Sequence, residues 1–130
     1  MKPYKTLTRD AACEYVVQKS RFIGRAAPAR TVEEALAVLD GEKQAHREAN
    51  HHCYAYIIGQ NEGVMRYSDD GEPGGTAGMP ILGVLRAKGV TDCVCVVTRY
   101  FGGVLLGAGG LTRAYSHCCA LAAAEAGVCE

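Results

Sequence analysis

Residues 93–115, CVCVVTRYFGGVLLGAGGLTRAY, join a strand pattern directly to a helix pattern. The run CVCVVT is apolar on both faces and rich in β-branched residues, which predicts a strand buried in the middle of a sheet. Five glycines follow within the ten residues 101–110. Beyond them, apolar residues recur at helical spacing and form a stripe of Leu111, Ala114, Tyr115, Cys118, Leu121 and Ala122. The sequence therefore places flexible backbone, here called the Gly-rich loop (residues 101–110), where a central strand meets a helix.

The rest of the chain alternates strand and helix patterns. Thr31 and Glu34 have the spacing of a capping box, which predicts a helix that starts at this point. The predicted strands are CEYVVQ (13–18), RFIGRAA (21–27), CYAYII (53–58) and VMRYS (64–68), and the other helices are TVEEALAVLDGEKQAH (31–46) and MPILGVLRAKG (79–89). The resulting order, β-β-α-β-β-α-β-α, predicts an α/β protein of the α+β type, a two-layer sandwich with helices packed against one sheet.

Length and composition are those of a single globular domain, residues 1–130. The 14 basic and 14 acidic residues balance, so attraction to nucleic acid must come from a local patch. Seven cysteines, an odd number without a C-x-x-C pair, predict free buried thiols. The N-terminal MKPYKTLTRD lacks the apolar core of a secretory signal, and no apolar stretch reaches the ~20 residues of a membrane helix. We therefore expect a cytoplasmic protein without a membrane partner or a cofactor.

The Gly-rich loop is the first candidate site. Glycines Gly102, Gly103, Gly107, Gly109 and Gly110 lie where unpaired amides of a helix N-terminus attract an anion. Arg99 ends the preceding strand and Arg113 lies in the first turn of the helix, and guanidinium groups match phosphate oxygens. Two alternatives remain: the glycines serve only close packing, and Arg99 pairs with a carboxylate of the acidic loop.

That acidic loop, SDDGEPGGT (68–76), is the second candidate. Asp69, Asp70 and Glu72 offer the oxygen ligands that Mg²⁺ prefers, although acidic residues also shape turns by themselves. With His51 as a general base, the group would suit a metal-assisted hydrolase of a phosphate or dipeptide-like substrate; its catalytic residues would be His51, Asp70 and Glu72.

Four motifs resemble the YigZ/IMPACT family: KSRFIG (19–24), HHCYAY (51–56), YSDDGEPGGTAGMPIL (67–82) and VVTRYFGGVLLGAGGLTRAY (96–115). The resemblance spans nearly the whole chain. It implies a fold like the second domain of small-subunit ribosomal protein five. Bacterial members usually add a C-terminal ferredoxin-like domain, which we expect to be absent from these 130 residues.

The resemblance also implies a role in the regulation of translation. We expect a binding module that contacts RNA phosphates or a ribosome-associated protein, or holds a small anion, through the Gly-rich loop. Tyr100 and Phe101 are then candidate aromatic contacts. The metal-assisted hydrolase is the alternative function.

Overall fold

The computed structural model describes residues 4–130, and within them one five-stranded sheet is packed with three helices. The elements are β1 Thr6–Leu7, β2 Ala11–Val17, β3 Ser20–Pro28, α1 Val32–Ala45, β4 His51–Ile58, β5 Val64–Ser68, α2 Gly78–Ala87, β6 Cys93–Tyr100, α3 Gly107–Ala126 and β7 Val128–Cys129. Apart from the two-residue strands β1 and β7, which pair with each other, the predicted element order is confirmed.

The five strands lie in the order β2-β3-β6-β4-β5, and every neighbouring pair is antiparallel. β6 occupies the centre, and its residues are buried up to Arg99. The prediction of a mid-sheet strand is therefore confirmed. Its carboxyl end leads into the Gly-rich loop and then into α3.

Alternation along β6 assigns its side chains to two faces. Cys93, Cys95 and Val97 contribute to the core beneath α2 and α3. Val94 and Val96 belong to a smaller core that contains Ala35 and Leu39 of α1 and so lies on the opposite face. The layering thus extends the two-layer prediction: α1 lies on the other side of the sheet, because the central strand is apolar on both faces and each face must be covered.

Local sequence signals account for the start of α1. The Thr31 hydroxyl accepts a hydrogen bond from the Glu34 amide at 3.1 Å, as the capping pattern predicts. The Glu34 carboxylate accepts from the Arg30 amide instead of from Thr31.

All seven cysteines are free, as predicted, and five of them are buried. Burial raises the pKa of Cys93 and of Cys118 to about 12, so these thiols stay protonated and act as small apolar groups. Residues 4–130 contain no helix with the length and apolar character needed to cross a bilayer.

Candidate functional site

Arg99 is the centre of a buried polar cluster at the carboxyl end of β6. Its Nη1 donates to both carboxylate oxygens of Glu72, at 3.1 and 2.9 Å. Its Nη2 donates to the Ser20 hydroxyl at 3.2 Å. Of the two roles considered for Arg99, the structure therefore contains the ion pair with the acidic loop. The guanidinium charge is largely neutralised inside the protein.

Two further side chains contact the same carboxylate. The Tyr115 hydroxyl donates to Glu72 Oε2, and burial raises the pKa of Tyr115 far above its ordinary value, so the phenol keeps its proton. His51 Nε2 lies 3.4 Å from Glu72 Oε1, while its Nδ1 lies 2.8 Å from the Asp70 carbonyl oxygen. We call the four side chains His51, Glu72, Arg99 and Tyr115 the pocket cluster.

Asp69 stabilises the acidic loop from within. Its carboxylate accepts backbone hydrogen bonds at 2.8–3.1 Å from Gly75, Ala77 and Gly78, the last two at the start of α2. Burial by itself raises the pKa of Asp69, but the three hydrogen bonds outweigh it and hold the pKa below its ordinary value. Asp69 is therefore a cap for α2 that also fixes the conformation of the acidic loop.

The cation site expected from Asp69, Asp70 and Glu72 is not formed. The Asp70 carboxylate accepts from the His52 amide at 2.7 Å, and the other two carboxylates have the partners just described. Across the described residues, no group of three or more His, Cys, Asp or Glu side chains is arranged to hold a metal ion. Each of the three carboxylates therefore has its own hydrogen-bond partners within the chain.

The glycines have two different structural roles. A Cβ on Gly102 would lie 2.1 Å from the backbone C and O atoms of Lys19, so only glycine fits against the β2–β3 turn. Gly103 and Gly107 have φ angles of 88° and 74°, which side-chain-bearing residues rarely adopt. Close packing, the alternative to anion binding, thus accounts for the glycine at position 102.

Part of the backbone predicted to face an anion is already paired. The Phe101 amide donates to Asn50 Oδ1 at 2.8 Å, and the Gly102 amide donates to Ser20 Oγ at 3.2 Å. The first turn of α3 differs, because its N-cap residue, Leu106, provides no side-chain cap within residues 4–130.

Arg99 and Arg113 do not share a site. Arg113 is exposed, forms no ion pair within the described chain, and lines a separate hollow of about 210 Å³ with Tyr15 and Gln18. Its guanidinium lies above Gly109, with Nη1 3.3 Å from the position of a Cβ there. The predicted pair of arginines flanking one anion is therefore wrong in its geometry.

A pocket of about 330 Å³ opens beside the pocket cluster, three of whose side chains, His51, Glu72 and Arg99, line it. Its other lining residues are Pro73, Phe101, Leu105, Leu106, Gly107, Ala108 and Leu111. At its rim, Phe101 is 45% exposed and Leu105 is 86% exposed. The site thus combines a buried charged floor with apolar walls that belong mainly to the Gly-rich loop and α3.

Tyr100 lies on the other face of the sheet. Its hydroxyl is 2.9 Å from His46 Nδ1, and His46 Nε2 is 3.5 Å from Glu42 Oε2. Glu42 also binds Arg25 Nε. We call Arg25, Glu42, His46 and Tyr100 the α1 cluster. Tyr100 is thus a structural residue beneath α1, and only Phe101 of the two predicted aromatic contacts lines the pocket.

Sequence reasoning missed Ser20 and the polar role of Tyr115. Alternation along β3 was a usable signal for Ser20, because it puts Ser20 on the same face as Phe22, which pairs with Arg99 across the strands. No local signal connects Tyr115 to Glu72, since 43 residues separate them.

Comparison with known sequences gives a consistent family. Residues 18–123 match the family model of the Impact N-terminal domain. The chain is 47% identical to IMPACT family member YvyE of Bacillus subtilis, over 86% of this chain and 52% of that protein. It is 46% identical to IMPACT family member YigZ of Escherichia coli, over 76% of this chain and 50% of that protein.

Solved structures share the fold. One of a hypothetical protein superposes with a TM-score of 0.91 at 36% identity, covering 99% of this chain and 64% of that one. The two-domain translational regulator Yih1 gives a TM-score of 0.50 at 26% identity, covering 94% of this chain and 49% of that one. The chain spans about half the length of the curated relatives it matches. By its sequence match over most of its length and by its fold, the chain belongs to the Impact N-terminal domain family.

Proposed function

We propose that the chain is a cytoplasmic binding module linked to the regulation of translation, and that its Gly-rich loop engages a ribosome-associated protein. The link to translation rests on its relatives, which include the translational regulator Yih1. The observation that carries the mode of binding is the exposure of Phe101, Val104 and Leu105 beside the pocket. A contiguous exposed apolar patch is typical of protein–protein contact.

Within the pocket, charge favours a protein partner over RNA phosphates, and Arg113, which has no ion pair within residues 4–130, lies in the separate hollow. Arg99, the arginine that lines the pocket, is already paired with Glu72. RNA binding depends on cations that are free to neutralise phosphates and to release counterions. Apolar contacts of Phe101 and Leu105 need no such free charge.

Sedimentation with ribosomes tests the proposal. The chain is mixed with ribosomes prepared at low salt, which keep their associated proteins, and with ribosomes stripped of them by a high-salt wash. We expect the chain to sediment only with the first preparation. Leu105→Asp should weaken sedimentation about tenfold or more, because it places a charge in the apolar contact.

Leu36→Asp is the matched control. Leu36 lies on α1, on the opposite face of the sheet from the pocket, and is an exposed leucine, as Leu105 is. Binding to stripped ribosomes or to single-stranded RNA that falls steeply with salt would overturn the protein contact in favour of phosphates. Absence of sedimentation with either preparation would overturn the function itself.

A further inference from the structure

The floor of the pocket holds a buried hydrogen-bond donor without a partner. Arg99 is 95% buried, and its Nε has no acceptor anywhere in residues 4–130. A buried donor left unpaired is destabilising, so native proteins rarely keep one without a reason. Because Arg99 lines the pocket, an acceptor carried by a ligand would supply the missing partner.

One of the two rings beside the guanidinium can give access to it. Arg99 Cζ lies 5.5 Å from the centroid of the Phe22 ring and 5.4 Å from that of Phe101. Phe22 is fully buried in the core, whereas Phe101 is half exposed and is followed by two glycines. Of the two rings, Phe101 is therefore the one whose displacement would uncover the guanidinium without disturbing the core.

His51 lies on the same floor, beside Glu72. Its two ring nitrogens face the Asp70 carbonyl oxygen and the Glu72 carboxylate, both of which are acceptors. A neutral imidazole has one N–H and satisfies one of them, while the imidazolium satisfies both. Both ring nitrogens of His51 are thus directed at acceptors of the chain, which leaves Arg99 Nε as a donor available to a ligand.

The first turn of α3 contributes further. Gly107 and Ala108 line the pocket at the uncapped helix start, where the helix dipole is positive. One unpaired N–H donor and the positive end of one helix match a single carboxylate better than a phosphate dianion, which carries three acceptor oxygens. The apolar walls, meanwhile, suit an aliphatic or aromatic neighbour of that carboxylate.

We propose that the pocket binds an acidic side chain of the partner protein, flanked by an apolar residue. This inference rests on the proposed protein-binding function and names the chemistry that its site recognises. The carboxylate accepts from Arg99 Nε and lies beside the start of α3, and the flanking residue packs against Phe101, Leu105 and Leu111. The volume of about 330 Å³ accommodates one or two side chains rather than a folded element.

Nuclear magnetic resonance tests this directly, because the Arg99 Nε–H group gives its own signal. The ¹⁵N-labelled chain is titrated at about pH 6, above the ordinary pKa of a glutamate side chain, with the peptide amides acetyl-Leu-Glu-Leu and acetyl-Leu-Gln-Leu. We expect the Glu peptide to shift the Arg99 Nε–H signal and the backbone amide signals of residues 101–111. We expect the Gln peptide to bind about tenfold more weakly or worse.

Two variants sharpen the outcome without removing Arg99 itself. Leu105→Asp should weaken the Glu peptide about fivefold or more, because it places a negative charge at the rim of the pocket. Arg66→Gln changes the charge at an exposed site on β5 and should leave binding unchanged. Equal binding of the two peptides, or shifts confined to the hollow beside Arg113, would overturn the proposal. So would an equal shift of Nε–H by sodium acetate, which would mark a site for small anions only.

The two proposals fail separately. If the chain sediments with its partner through Leu105 but the Glu peptide is not preferred, only the acidic specificity is wrong. If the peptide binds as expected but sedimentation fails, the pocket chemistry is right and the translation-linked function is wrong.

Discussion

The two faces of the sheet carry clusters made of the same four residue types, which differ in their exposure to solvent. Each combines an arginine, a glutamate, a histidine and a tyrosine: Arg99, Glu72, His51 and Tyr115 in the pocket cluster, and Arg25, Glu42, His46 and Tyr100 in the α1 cluster. The arginine side chain is 6% exposed in the first and 36% exposed in the second. Identical chemistry therefore has different consequences: one cluster holds charge beside an apolar pocket, and the other braces α1 in contact with water.

Consecutive residues of β6 explain why the clusters are separate. Arg99 and Tyr100 are neighbours in sequence, but alternation sends them to opposite faces. Arg99 meets the acidic loop and α3, while Tyr100 meets the end of α1. The Gly-rich loop thus starts directly after two residues that are anchored on opposite faces of the sheet.

The largest difference is expected when each glutamate loses its charge. Glu72→Gln leaves a buried guanidinium without a counter-charge and should lower the free energy of unfolding by about 3–5 kcal/mol. Glu42→Gln should cost about 1 kcal/mol or less, because Arg25 is partly hydrated and also pairs with Asp10 at 2.5 Å. Urea unfolding of both variants at neutral pH measures the two losses, and equal losses would show that the difference in burial is unimportant.

The tyrosines give a second, smaller test of the same contrast. Tyr115→Phe removes a buried hydrogen bond to a carboxylate and should cost about 1.5–3 kcal/mol. Tyr100→Phe removes the hydrogen bond between the hydroxyl and the imidazole of His46 near the surface and should cost about 0.5–1.5 kcal/mol. Thermal and urea unfolding measure both, and a larger loss for Tyr100→Phe would contradict the assignment of the pocket cluster as the tightly coupled one.

The fold was readable from the sequence because its signals are local. Each signal depends on a few neighbouring residues: the apolar character of both faces of β6, the cap at Thr31 and the glycines in turns. The element order follows from them. The position of α1 on the opposite face was implicit in the same run, since Val94 and Val96 need cover as much as Cys95 and Val97 do.

The site was readable only in part, because its pairings are distant. The sequence brought Arg99, Glu72, His51 and Phe101 into consideration, and the structure brings these four together around the pocket. It could not decide between an anion and Glu72 as the partner of Arg99, since 27 residues separate the pair and both uses need the same guanidinium. Arg113 was grouped with Arg99 by spacing, but the two arginines line different hollows, which have only Leu105 and Leu106 in common.

The smallest expected effects come from two capping residues, one associated with each cluster. Asp69 caps α2 and fixes the acidic loop that carries Glu72, while Thr31 caps α1, which carries Glu42. Asp69→Asn keeps an acceptor oxygen but loses the charge near the start of α2, and should cost about 0.3–1 kcal/mol at neutral pH. Thr31→Ala should cost about 1 kcal/mol, through a hydroxyl that does not titrate.

Lowering the pH distinguishes the loss of stability in Asp69→Asn from that in Thr31→Ala. The folded protein holds the pKa of Asp69 below its ordinary value of 3.8, so the contribution of its charge is complete above that value and disappears as the pH falls through the lowered pKa. Asp69→Asn and the unmodified chain should therefore converge in stability at the acid end of a urea titration, whereas Thr31→Ala stays less stable throughout. A gap for Asp69→Asn that stays constant with pH would mean that the acidic loop is held by the shape of its backbone and not by the charge of Asp69.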